Sequence, residues 1–95
     1  MPQYEEKLFK STERLSEWFG SVVEADVISE EDRKSFVKET SIENLRRELK
    51  ENKEFGLKYK RKSGRAFRDV SMEIIQSNEY TDENQECFLF IKEQD

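Results

Sequence analysis

Residues 87–91 read Cys-Phe-Leu-Phe-Ile, the longest unbroken apolar run in the chain. A run this short and this rich in aromatic and branched side chains reads as a β-strand. Successive side chains of a strand point to opposite faces, so this one is apolar on both. Such a strand belongs inside a sheet, with a neighbour on each edge and cover on each face. The segment Glu86–Glu93 therefore dictates how everything else is placed.

Two further strands precede it. Phe55, Leu57 and Tyr59 alternate with Gly56, Lys58 and Lys60, and Val70, Met72 and Ile74 alternate with Asp69, Ser71 and Glu73. Folding the chain about a two-residue Ser63-Gly64 loop sets Leu57 opposite Val70, Phe55 opposite Met72, Tyr59 opposite Arg68 and Lys58 opposite Asp69. That register gathers apolar residues on one face and leaves Lys62 opposite Arg65 at the tip. The polar stretch from Ser77 to Gln85 connects this hairpin to the last strand. No segment of the first 54 residues alternates clearly, so the free edge of the last strand needs a partner from elsewhere. The segment Tyr4 to Phe9 could fold back onto it, or the same strand of a second molecule could pair with it. The second copy is the expected solution, because a two-fold axis satisfies both edges at once. Cys87, Phe88, Phe90 and Ile91 are the interface residues it implies.

The first half reads as helices. Leu8, Leu15, Trp18, Phe19 and Val22 approximate one helical face, with Ser11 or Thr12 as N-cap. Ser29 caps a short second helix of about two turns, with Asp32 favourable in its first turn. Thr40 and Glu43 stand at capping-box spacing ahead of a third helix striped by Ile42, Leu45 and Leu49.

Composition removes whole classes of chemistry. There is no His and one Cys, so a zinc site would have to use carboxylates almost alone, and the usual general base for a Ser or Cys nucleophile is missing. Gly20, Gly56 and Gly64 stand singly, so there is no glycine-rich phosphate loop. Neither a catalytic group, a cofactor site nor a metal site is expected. Cys87 reads as a small buried hydrophobe in a reducing, cytoplasmic setting. Charge is distributed unevenly: residues 1–54 hold 14 acids and 10 bases, residues 55–68 six bases and no acid, and residues 69–95 eight acids and one base. The basic run thus sits between acidic segments that offset its field.

Order and spacing of these segments resemble the PAS family. "SEEDRKSF" (Ser29 to Phe36) is similar to the acidic segment before the last PAS helix. "FGLKYKRKSGRAFRDVSMEII" (Phe55 to Ile75) is similar to the PAS hairpin, and "FLFIKEQD" to the final strand and its exit. Ser63 stands where Asp is usual before the turn glycine, and Phe67-Arg68 where Arg-Trp is common. The resemblance spans residues 28–95. It implies one α+β domain over residues 1–95: short N-terminal helices, then an antiparallel sheet of at least three strands. The two strands that open a PAS fold and pair beside its final strand are not evident before Val27. With "SIENLRRELKENKEF", the pattern is similar to the PAS-like segments that precede GGDEF diguanylate cyclase or histidine kinase domains.

What the resemblance implies is a non-catalytic sensory and dimerisation module of a bacterial-type signalling protein, acting as a homodimer on an attached output domain. Leu57, Tyr59, Val70, Met72, Ile74, Phe88 and Phe90 are the residues expected on its concave face, as core or facing a ligand. Two other readings compete. The run Lys58–Arg68, with Tyr59 and Phe67 as stacking platforms, would suit single-stranded nucleic acid. A small protein-interaction adaptor would need no output domain. No membrane partner is expected.

Overall fold

In the computed structural model, which describes residues 3–93, seven elements run in the order β1 (Gln3–Phe9), α1 (Thr12–Glu24), α2 (Glu30–Glu39), α3 (Ile42–Asn52), β2 (Glu54–Ser63), β3 (Ala66–Gln76) and β4 (Cys87–Glu93). The four strands form one open antiparallel sheet in the order β1-β4-β3-β2. The class is α+β. The last two residues of "FLFIKEQD", Gln94 and Asp95, lie outside the described residues.

As its two apolar faces require, β4 is an inner strand. Its second neighbour corrects the expectation of a second molecule. The edge is taken by β1, which pairs with β4 from Gln3 opposite Glu93 to Phe9 opposite Cys87. Lys10, directly after β1, donates from Nζ to Oε2 of Glu86, directly before β4, at 3.0 Å. The other oxygen of Glu86 accepts from the Ser77 hydroxyl at 3.0 Å. One buried carboxylate thus ties the end of β1 and the exit of β3 to the start of β4.

The hairpin differs from the expected register by two residues. Leu57 lies opposite Met72, Tyr59 opposite Val70, Phe55 opposite Ile74 and Lys60 opposite Asp69. A shift of two preserves which face each side chain occupies. The cause is the turn: the loop is Gly64-Arg65, and Gly64 adopts φ +62°, as the first residue of a tight two-residue hairpin loop commonly does. The slip also replaces the Lys62–Arg65 opposition with Lys62–Phe67.

Each helix begins at a serine. The Ser11 hydroxyl accepts from Arg14 N–H, Ser29 from Asp32 N–H and Ser41 from Asn44 N–H. Ser41, rather than Thr40, caps α3. Thr40 instead closes α2 and donates its hydroxyl to the Phe36 carbonyl at 2.8 Å. Ten residues long, α2 is nearly three turns rather than two. Leu8 belongs to β1, so the buried stripe of α1 is Thr12, Leu15 and Phe19.

All three helices lie against one face of the sheet. Leu15, Phe19, Ile28, Phe36, Leu45 and Leu49 pack with Leu57, Tyr59, Val70, Met72, Ile74, Cys87 and Leu89 as one buried cluster. A chain of ring contacts crosses it, from Phe9 to Trp18, Phe19, Phe36 and Tyr59, with centroid distances of 6.2, 5.3, 5.7 and 5.0 Å. These rings link both edge strands, β1 and β2, through the helical layer. Each tilted or edge-on pair is worth about 1 kcal/mol beyond its buried area.

The Glu86 carboxyl sits below its ordinary value of 4.5, because Lys10 and Ser77 hydrogen-bond its charged form. A lowered carboxylate pKa gives stability that is fully present above the unfolded value and lost as pH falls through the folded one. Glu86→Gln should therefore lower the thermal midpoint at pH 7. The gap to the parent should close as pH falls below that ordinary value and through the lowered one. Thermal melts of both proteins from pH 7 to pH 3 check this. A gap independent of pH would remove the ion pair as its cause.

Candidate functional site

Period-two alternation divides the candidate residues cleanly between the two faces. Leu57, Tyr59, Val70, Met72 and Ile74 face the helices and are at most 7% exposed. They are core, closed over by Leu15, Phe19, Phe36, Leu45 and Leu49. Phe88 and Phe90 do not join them, which corrects their assignment to the concave, helix-covered side. The β4 residues on that side are Cys87, Leu89 and Ile91. Leu89, fully buried, is a core residue that the sequence reading left out. The same alternation corrects the expected interface, since Cys87 is buried beneath helices and Ile91 packs against the core. Burial, with the Glu86 carboxylate alongside, pushes the Cys87 thiol up to about 11. It is an unreactive packing group rather than a nucleophile.

The opposite face of the sheet carries no helix. Its cross-strand rows can be read from the register. Leu8, Phe88 and Ile75 form one row, Glu6, Phe90 and Glu73 the next, and Tyr4, Lys92, Ser71 and Lys58 a third. The rings of Phe88 and Phe90 stack at 6.1 Å, and the Lys92 ammonium lies 5.8 Å from the centre of the Tyr4 ring. Tyr4 is 72% exposed, Leu8 46% and Phe90 37%. An open groove of about 1350 Å³ crosses this face and turns over the β2 edge, where Ser35 and Glu39 of α2 and Glu48 and Asn52 of α3 line it. This is the candidate functional surface: an apolar Leu8–Phe88–Ile75 row, then Phe90 flanked by Glu6 and Glu73, then a row holding Lys92 and Lys58.

The basic run is divided rather than gathered. Lys58, Lys60 and Lys62 point to the open face, while Arg61 turns to the helix side and meets Glu93 at 3.2 Å. Lys60 faces Asp69 across the hairpin, and Lys62 reaches Asp26 at 3.3 Å. Tyr59 is buried against Phe36 and is no stacking platform, whereas Phe67 is 58% exposed. Among the described residues, no group of three or more His, Cys, Asp or Glu side chains is placed to hold a metal ion, and no helix is long and apolar enough to cross a membrane.

The face assignment predicts a sharp asymmetry between neighbouring residues. Phe90→Lys should leave the thermal midpoint nearly unchanged. Leu89→Lys should abolish cooperative unfolding, because it buries an unpaired charge. Circular-dichroism melts of the two variants decide it, and equal damage from both would reverse the faces.

Comparison with protein families, curated proteins and solved structures finds no match to this chain.

Proposed function

We propose that this chain is a non-catalytic, PAS-like sensory and dimerisation module of a bacterial-type signalling protein, regulating an attached GGDEF diguanylate cyclase or kinase output domain. The observation that carries the reading is the strand order. An N-terminal strand lies beside the final one, and three helices intervene before the hairpin. That is the arrangement the sequence resemblance implies, with one opening strand in place of two. The helix-covered interior is filled by side chains rather than shaped around a ligand. The signal is therefore read at the open sheet face, where a change of partner shifts the balance between two arrangements of the attached domains. The protein acts in the cytoplasm, as a homodimer, without a cofactor.

The nucleic-acid reading is weaker on this surface. Lys62 is ion-paired with Asp26, Lys60 lies opposite Asp69, and of its two aromatic platforms Tyr59 is buried. The adaptor reading shares the same open face and differs only in lacking an output domain.

A fusion tests the proposal. Joined ahead of a diguanylate cyclase domain that is active only when paired, the chain should raise cyclic di-GMP output above that of a monomeric spacer. Output equal to the spacer's would overturn the sensory reading. So would micromolar binding of a labelled single-stranded RNA in about 0.15 M salt that is lost on reversing Lys60 and Lys62 to Glu.

A further inference from the structure

The two edges of the sheet are treated differently. At the Lys60–Lys62 end of β2 the chain covers itself: Ser29 N–H donates to the Lys60 carbonyl, Lys62 N–H to the Val27 carbonyl, and Lys60 N–H to the Asp32 carboxylate at 2.7 Å. Along β1 nothing among the described residues does this. The β2 bonds also fix which β1 groups are open. Even-numbered residues of β2 turn their backbone groups away from β3, so odd ones bond to it. Carried through the three registers, this alternation bonds odd residues of β1 to β4. The N–H and C=O groups of Tyr4, Glu6 and Leu8 therefore face outward.

This open edge lacks two of the usual protections, although it carries charge at Glu5, Glu6 and Lys7. Its pairing runs continuously without a bulge, and the described strand contains no proline. Its single lysine is drawn inward, with the Lys7 ammonium 2.8 Å from Glu5 and over the Trp18 ring. Meanwhile Tyr4 and Leu8 stand exposed on the strand's other side.

We propose that the outer edge of β1 pairs antiparallel with β1 of a second copy about a two-fold axis through Glu6, joining the two sheets into one. This register is singled out by the sequence of the strand itself. Centred on Glu6, it sets Tyr4 opposite Leu8 of the partner and Glu5 opposite Lys7 of the partner, each twice. Centred on Glu5 or Lys7, it would oppose like charges and break both pairs. The Tyr4–Leu8 pairs fall at the hydrogen-bonded positions, so the outward groups of Tyr4, Glu6 and Leu8 give about six backbone bonds. The two Glu5–Lys7 pairs stand at the closer, non-hydrogen-bonded positions, on the helix side, and extend the Glu5–Lys7 contact already present within each strand. On the open side, Tyr4 and Leu8 prolong the Leu8–Phe88 row across the junction. The one unfavourable opposition is Glu6 against its own copy.

The inference deepens the reading of the domain as a dimerisation module, and sedimentation of the purified chain over the micromolar range tests it. The parent should dimerise. Glu6→Pro removes an outward N–H that the sheet does not use and puts a ring in the partner's path, so it should weaken association on the order of 100-fold with the fold intact by circular dichroism. Glu6→Gln should strengthen association. Glu5→Lys and Lys7→Glu should each be monomeric alone and form a heterodimer when mixed. A dimer indifferent to Glu6→Pro and to the charge variants would overturn this surface while leaving the dimer reading standing. A monomeric parent would overturn both.

Discussion

Everything in this molecule depends on where β4 is put. Its five apolar residues, Cys87 to Ile91, cannot lie at a sheet edge without offering an unpaired backbone ladder beside exposed rings. The chain resolves this by placing β1 and β3 on either side. One face then receives Cys87, Leu89 and Ile91 beneath the helices, and the other leaves Phe88 and Phe90 on the open side. The length of the route from β1 through three helices and the hairpin back to β4 follows from this. Lys10–Glu86 and the Phe9–Trp18 contact mark where the N-terminal strand is fastened.

How much of this was legible varies by element. The inner position of β4, the facing of the hairpin and the Ser29 cap all follow from short-range pattern, because period two and helix capping are local physics. The hairpin register slipped by two because alternation fixes faces but not offset. The positive φ of Gly64 at the first loop position decided it. Thr40 and Ser41 both suit a cap; Thr40 is taken up closing α2, its hydroxyl bonded four residues back to the Phe36 carbonyl, which leaves Ser41 to cap α3. β1 stood only as the second choice for the free edge of β4, because it is an edge strand with a polar majority. Of Glu5, Lys7 and Phe9 on its helix side only Phe9 is apolar, so no alternation signal exists. The demand of β4 for a second neighbour is what named Tyr4 to Phe9 as a candidate at all.

For the candidate surface, the lesson is that one strand carried two roles. Phe88 and Phe90 look like core when read with Leu89. Once faces are assigned they are the apolar centre of an open sheet face, where Glu6 and Glu73 flank Phe90 and Lys92 and Lys58 stand in the next row. The interior holds mutually packed side chains. The open face and the β1 edge are therefore the surfaces that the packed interior leaves free.

Amide hydrogen exchange of Leu89 and Ile91 tests most directly whether β4 is completed within its own chain. These odd-numbered residues give their backbone groups to β1, whereas Phe88 and Phe90 give theirs to β3. If β1 supplies the second neighbour, Leu89 and Ile91 exchange as slowly as Phe88 and Phe90, and their protection is unchanged on dilution well below any dimer dissociation constant. Protection of Leu89 and Ile91 that fades on dilution while that of Phe88 and Phe90 persists would mean that a second molecule supplies the strand, and the account given for the fold would be wrong at its centre.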